Sequence, residues 1–160
     1  MPLDRRLVVS SADLSEVRSA LDSWSWLLRD DEWNPLMVSA SGDVFLAHES
    51  GEIFRLDTGF GNLTRIAGTI AEFETLLENT EQAEDLLLTP VIEELLNSGR
   101  SLAPGQCFGF TILPVFREGS YAAANRFPLS ALEHVRVTGE IHAQIQGIED
   151  GQQIRLSVVE

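Results

Sequence analysis

The chain has 160 residues, 44% of them hydrophobic, and a mean hydropathy near zero. That suits one globular domain spanning residues 1–160 with a proper buried core, and it excludes both a disordered polar chain and a membrane helix, because no apolar run approaches the ~20 residues a span needs. The formal net charge is -14, and all eleven basic residues are arginine, so the surface should repel nucleic acid and attract a basic partner.

In chain order, residues 1–33 read as an N-terminal helical segment. Ser10 or Ser11 can cap a helix whose stripe is Leu14, Val17, Leu21, Trp24 and Leu28, recurring at three and four. Trp24 lies on the stripe and is expected in the core. Trp26 and Trp33 lie off it and are candidates for exposure. Arg29-Asp30-Asp31-Glu32 forms a charged end, and Asn34-Pro35 is expected to break the chain. A β meander follows: Leu36-Met37-Val38, Val44 to His48, Ile53 to Leu56 and Leu63 to Ile66, with Gly42, Gly51, Gly59 and Gly61 in the turns. Short strands with such turns pair antiparallel.

Thr69-Ile70-Ala71-Glu72 is a capping box that predicts a helix to about Glu78. Thr80 can cap another helix. Thr89-Pro90 restarts or kinks it, with Pro90 at the first helical position, Val91, Leu95 and Leu96 as its apolar face, and Gly99 as its stop. A strand is predicted over Cys107 to Leu113 and a short one over Asn125 to Phe127. The last segment carries two signals. Ser130-Ala131-Leu132-Glu133 is a second capping box, whereas Val135, Val137, Gly139, Ile141, Ala143 and Ile145 alternate like a strand. The capping box carries the greater weight and favours a helix. The economical fold is α+β: an antiparallel meander packed with several helices.

Motifs for chemistry are missing. His48, His134 and His142 are the only histidines, and the last two are eight apart rather than the i, i+4 pair of a helical metal site. Neither a P-loop nor a GxSxG elbow occurs. Cys107, the sole cysteine, is expected as a buried small hydrophobe. No catalytic residue, cofactor or metal is expected. The stretch Met1 to Ala20 lacks the basic start and apolar run of a signal peptide, so the expected location is the cytoplasm.

Several weak motifs recur in one order: Gly42-Asp43-Val44-Phe45-Leu46, Ile53 to Gly59, Glu72-Phe73-Glu74-Thr75-Leu76-Leu77, Gly105-Gln106-Cys107-Phe108-Gly109-Phe110, Glu118-Gly119-Ser120-Tyr121, His134, and Gly139 to Ile145. This order and spacing resemble the C-terminal domain family of type VI secretion DNase-immunity proteins, a bacterial domain of unknown function, over residues 34–151. The family pattern has a glycine pair before the tyrosine, and here Glu118 holds the first of those positions. The resemblance implies a non-catalytic binding protein that neutralises a cognate toxin.

A nuclease is basic where it grips DNA, so an acidic inhibitor is physically sensible. Two acidic stretches are candidate contact surfaces: Asp30, Asp31, Glu32 with Trp33, and Glu74, Glu78, Glu81, Glu84 and Asp85. A solvated face is the ordinary role of such runs. Other readings are a regulatory or ligand-sensing module of the same fold, an adaptor that loads an effector, or an enzyme whose site forms only in three dimensions. A deep polar pocket favours ligand or enzyme, and an acidic face with exposed aromatics favours a protein partner.

Overall fold

Four glycine-punctuated strands pair in the order in which they occur. The computed structural model describes residues 3–148 together with Leu156. In it β1 (Trp33–Val38), β2 (Val44–His48), β3 (Ile53–Asp57) and β4 (Asn62–Ala67) form one antiparallel meander, as the turn residues predict. Side chains alternate across this sheet, and both of its faces are covered. Val38, Val44, Leu46 and Leu56 pack with Val17, Leu21, Trp24 and Leu28 of the N-terminal helical segment and with Val135. Phe45, Ile53 and Ala67 pack on the opposite face with Phe73, Leu87, Ile92 and Leu95. Covering both faces is why Val44-Phe45-Leu46 reads as an unbroken apolar run and is wholly buried. The fold is thus a single α+β domain with helices on both sides of a meander.

The strand boundary at the proline differs from expectation. β1 begins at Trp33, before Asn34-Pro35 rather than after it. It is an edge strand, and its register shifts between Pro35 and Met37, so the missing N–H of Pro35 costs no ladder bond in the sheet interior. Upstream, Asp13 rather than a serine caps the first helix. Its carboxylate accepts from the Ser15 and Glu16 amides, and α1 runs Leu14–Ala20. A 3₁₀ stretch, Leu21–Trp24, and a short α2, Ser25–Leu28, complete the stripe. Val17, Leu21, Trp24 and Leu28 are buried, whereas Leu14 is exposed in the first turn.

On the other face, Thr69 caps α3 (Ile70–Glu78) by accepting from the Glu72 amide, while the Glu72 carboxylate accepts from Gly68 instead of Thr69. Asn79, not Thr80, caps α4 (Thr80–Leu87). Leu88 adopts a left-handed conformation and turns the chain into α5 (Thr89–Asn97), where Pro90 is the second helical residue. Ile92 and Leu95 are the buried face of α5, with Val91 and Leu96 half-buried beside them.

A second, two-stranded sheet pairs β5 (Gln106–Phe110) with β6 (Arg126–Ser130). β5 stops three residues before the expected Leu113, and β6 continues past the expected Phe127. The Phe108 amide donates to the Ala40 carbonyl at 2.7 Å, which ties this sheet to the β1–β2 turn. The last segment is a helix, α6 (Ala131–Ile145), with Ser130 accepting from the Glu133 amide. The alternating apolar residues mislead because the buried face of α6 is largely polar or small: His134, Val135, Thr138, Gly139 and His142.

Gly139 lets α6 approach the N-terminal segment closely enough for the Trp24 indole N–H to donate to the Val135 carbonyl at 2.8 Å. A Cβ at this position would lie 2.1 Å from Ser23 Oγ and 2.8 Å from Trp24 Cδ1. Gly139→Ala therefore sets a helix-propensity gain of about 1 kcal/mol against an overpacking cost of about 1–3 kcal/mol. Because the Trp24 ring is fully buried, the clash wins. Urea unfolding of the variant is expected to show a lowered midpoint, and a raised one would show that the interface yields.

Candidate functional site

The motif residues that are scattered along the sequence meet at Thr58, in the turn between β3 and β4. The Thr58 hydroxyl donates to the Gly42 carbonyl at 3.1 Å, which leaves its lone pairs for His134 Nε2–H at 2.9 Å. The Thr58 carbonyl accepts from His142 Nε2 at 2.8 Å, and its amide donates to Asp43 Oδ1 at 3.2 Å. The neighbouring Asp57 carboxylate accepts the Tyr121 hydroxyl at 2.7 and 2.8 Å and the amides of Gly59 and Phe60. Gly42 stands at φ +94°, and a Cβ there would lie 2.4 Å from His134 Nε2, so both the turn and the imidazole require glycine.

Arg126 closes this centre from β6. It is 1% exposed. Its Nη1 donates to the carbonyls of Ser41 and Phe108 at 3.0 and 3.2 Å, its Nε donates to Tyr121, and its guanidinium lies 3.9 Å from the centroid of the Phe110 ring. Carbonyl oxygens replace water at Nε and Nη1 and a ring face covers the guanidinium plane, while Nη2 is buried with no hydrogen-bond partner among the described residues. Burial lowers the Arg126 pKa to about 10, which leaves the group charged at neutral pH. Burial, and secondarily the Asp57 carboxylate, pushes Asp43 up to about 7. Burial, with the Arg126 charge behind it, lowers His134 to about 3, and His142 falls below its ordinary value by burial. The Cys107 thiol is pushed up to about 12 by burial, the environment of an inert packing residue rather than a nucleophile.

The groups of this centre bond to one another and so join the β1–β2 and β3–β4 turns, β6 and α6. Beside it, a cavity of about 340 Å³ is lined mainly by apolar side chains, among them Phe110, Phe127, Val137 and Ile141, with His134 and Thr138 at its wall. The Thr138 hydroxyl is already donated to the His134 carbonyl at 2.6 Å. Among the described residues, the convergent polar groups that would fix a small ligand are not assembled there.

The nine predicted contact residues divide into three sets. Asp31, Glu32 and Trp33 line a groove of about 340 Å³ against the N-terminal segment, together with Arg18, Asp22 and Arg29. Trp33 is half-buried: its indole N–H donates to the Leu28 carbonyl, and its ring meets Phe54 edge-on. Trp26 is also half-buried and stacks on Trp24. Glu81, Glu84 and Asp85 line a larger, open groove of about 930 Å³ between α4, the start of α5 and β4. Asp30, Glu74 and Glu78 are exposed and line neither groove. Sequence reasoning missed the apolar floor of the second groove, to which Leu86 and Leu88 contribute, and it missed Arg126 altogether.

Among the described residues, Asp31, His48 and Glu49 form a surface group with ligand atoms within 4.8 Å of one another. Both His48 ring nitrogens there are engaged, by Asp31 and by Ser50.

The titrations of Asp43 and His134 oppose each other. Asp43 has a raised folded pKa, so its stabilising contribution is complete below 3.8 and is lost as pH rises through about 7. His134 has a depressed one, so its contribution is present above 6.5 and is lost as pH falls towards about 3. Between about pH 4 and 6.5 the two slopes cancel. Asp43→Asn keeps the acceptor for the Thr58 amide and removes one slope. Its stability is expected to fall on acidification by about 1.4 kcal/mol per pH unit more than that of the wild type across this window. Urea midpoints at several pH values test this, and parallel curves for the two proteins would refute the assignment.

Residues 67–142 match the family model described as T6SS immunity protein Tdi1, C-terminal. The match is narrower than the span 34–151. It contains α3 to α5, both strands of the second sheet and α6 as far as His142, and it leaves out β1 to β3. No curated protein matches the chain. From Ala67 to His142, then, this chain resembles the C-terminal domain of a type VI secretion immunity protein.

Proposed function

We propose that this protein is a cytoplasmic immunity protein that binds a cognate basic toxin, a nuclease, and occludes its active site without doing chemistry of its own. The observation that carries the reading is the match of residues 67–142 to the immunity-protein family. The net charge of -14 and the lack of lysine support it, because a DNA-binding cleft offers the opposite charge. Among the described residues, no helix is long and apolar enough to cross a membrane. The contact surface is drawn from Asp30, Asp31, Glu32, Trp33, Glu74, Glu78, Glu81, Glu84 and Asp85. Of these, Glu74 to Asp85 fall inside the matched segment and Asp30 to Trp33 fall outside it, so the acidic side chains of α3 and α4 take priority.

The test is co-expression with a toxin encoded by the neighbouring gene. Wild-type protein is expected to protect the cell and to co-purify with the toxin. Charge reversal at Glu78→Arg, Glu81→Arg and Glu84→Arg together should weaken binding by roughly tenfold or more while leaving the circular dichroism spectrum unchanged. Full protection by the triple variant moves the contact to Asp30, Asp31 and Glu32. Absence of binding by wild-type protein at micromolar concentration ends the immunity reading.

A further inference from the structure

The second groove differs from the first in both charge and construction. Among the described residues, its rim carries Glu81, Glu84 and Asp85 and no basic side chain, whereas Arg18 and Arg29 offset the acids of the first. Among the described residues, none of the three carboxylates has an ion-pair partner. Glu81 is three and four residues before Glu84 and Asp85, so the charges stand on one flank of α4. The floor is apolar. Ile66, Leu76, Leu86 and Val91 are half-buried: each packs on the core cluster beneath and keeps part of its surface open to the groove. The left-handed residue Leu88 ends α4 and redirects the chain into α5, which opens the space between the two helices.

Floor and rim together select a partner. An apolar floor beside an acidic flank complements a helix with one apolar stripe and basic residues next to it. An added strand is a poorer fit. Strand addition needs a row of free backbone N–H and C=O groups; the edge strand β4 gives the lining only Ile66, and the rest comes mainly from α4 and α5, whose backbone groups bond within their own helices. We infer that this groove is the docking site for a basic amphipathic helix of the toxin, with apolar anchors at i, i+3/i+4 and i+7 over Leu76, Leu86 and Val91 and with Arg or Lys side chains meeting Glu81, Glu84 and Asp85. The inference rests on the immunity reading and adds to it the element by which the toxin is held.

Two probes test it. The first is a synthetic peptide of Leu and Lys at helical spacing, compared with a scrambled peptide of the same composition. The helical peptide should bind roughly tenfold tighter or more, and its methyl NMR shifts should centre on Ile66, Leu76, Leu86 and Val91. Binding should be lost in Glu81→Lys/Glu84→Lys/Asp85→Lys and weakened in Leu86→Ala/Val91→Ala, each checked for an unchanged fold. Equal binding of the two peptides, or wild-type shifts that map elsewhere, overturns the proposal without recourse to any variant. The second probe is a catalytically inactivated toxin from the neighbouring gene, which should displace the peptide. A toxin that binds and leaves the peptide in place overturns the groove assignment while the immunity reading stands. A toxin that does not bind at all overturns the immunity reading, and the groove assignment with it.

Discussion

Two imidazoles on one face of α6 end on a single threonine, and the rest of the structure is arranged around that contact. His134 and His142 are eight residues apart, a little over two helical turns. One meets the Thr58 hydroxyl and the other its carbonyl. Both imidazoles and the hydroxyl are buried, so each bond stands in place of water that cannot enter, and losing one leaves a desolvated polar group behind. This pair fixes the β3–β4 turn against α6. Gly42 must then stay small, Asp43 takes the free amide, and Asp57 holds Tyr121. A buried polar network of this kind favours one packing of helix on sheet where leucines alone would allow several.

The outer surface follows from this centre. Arg126 anchors the second sheet to the β1–β2 turn through the Ser41 carbonyl, and Phe108 binds Ala40 beside it. The meander is thereby held between α1, α2 and α6 on one face and α3 to α5 on the other. The second set of helices needs only part of its apolar surface for the core. Ile92, Leu95 and Leu87 are spent there, and Leu86 and Val91 remain at the edge of the groove. The acidic flank of α4 therefore stands on a helix that Leu87 packs into the core.

Much of the fold was legible because its signals are local. Glycine turns marked the four strands, and the capping boxes at Thr69 and Ser130 marked two helices correctly. Misreadings arose where tertiary context overrode a local rule. Pro35 looked like a break, yet an edge strand with a register shift accommodates it. The serines at 10 and 11 looked like caps, but Asp13 stands nearer the helix and accepts from two of its amides. The bonds that the α6 histidines make are not legible in their spacing, because their partner Thr58 lies 76 residues before His134 and 84 before His142. Arg126 left no signal, since a lone arginine in a short strand has no periodicity to betray burial. The acidic residues were legible as a list, but their grouping was not. Glu81, Glu84 and Asp85 on α4 line a groove, whereas Glu74 and Glu78 on α3 are exposed and do not line it.

The central claim is that an acidic protein captures a basic toxin through complementary charge, and the rate of association tests it most directly. Electrostatic steering speeds encounter at low ionic strength and is screened as salt rises. Stopped-flow mixing with the inactivated toxin from the neighbouring gene, over a salt series from roughly 20 to 500 mM, should show the association rate constant falling by about tenfold or more while the dissociation rate changes far less. An association rate that does not respond to salt would contradict the account.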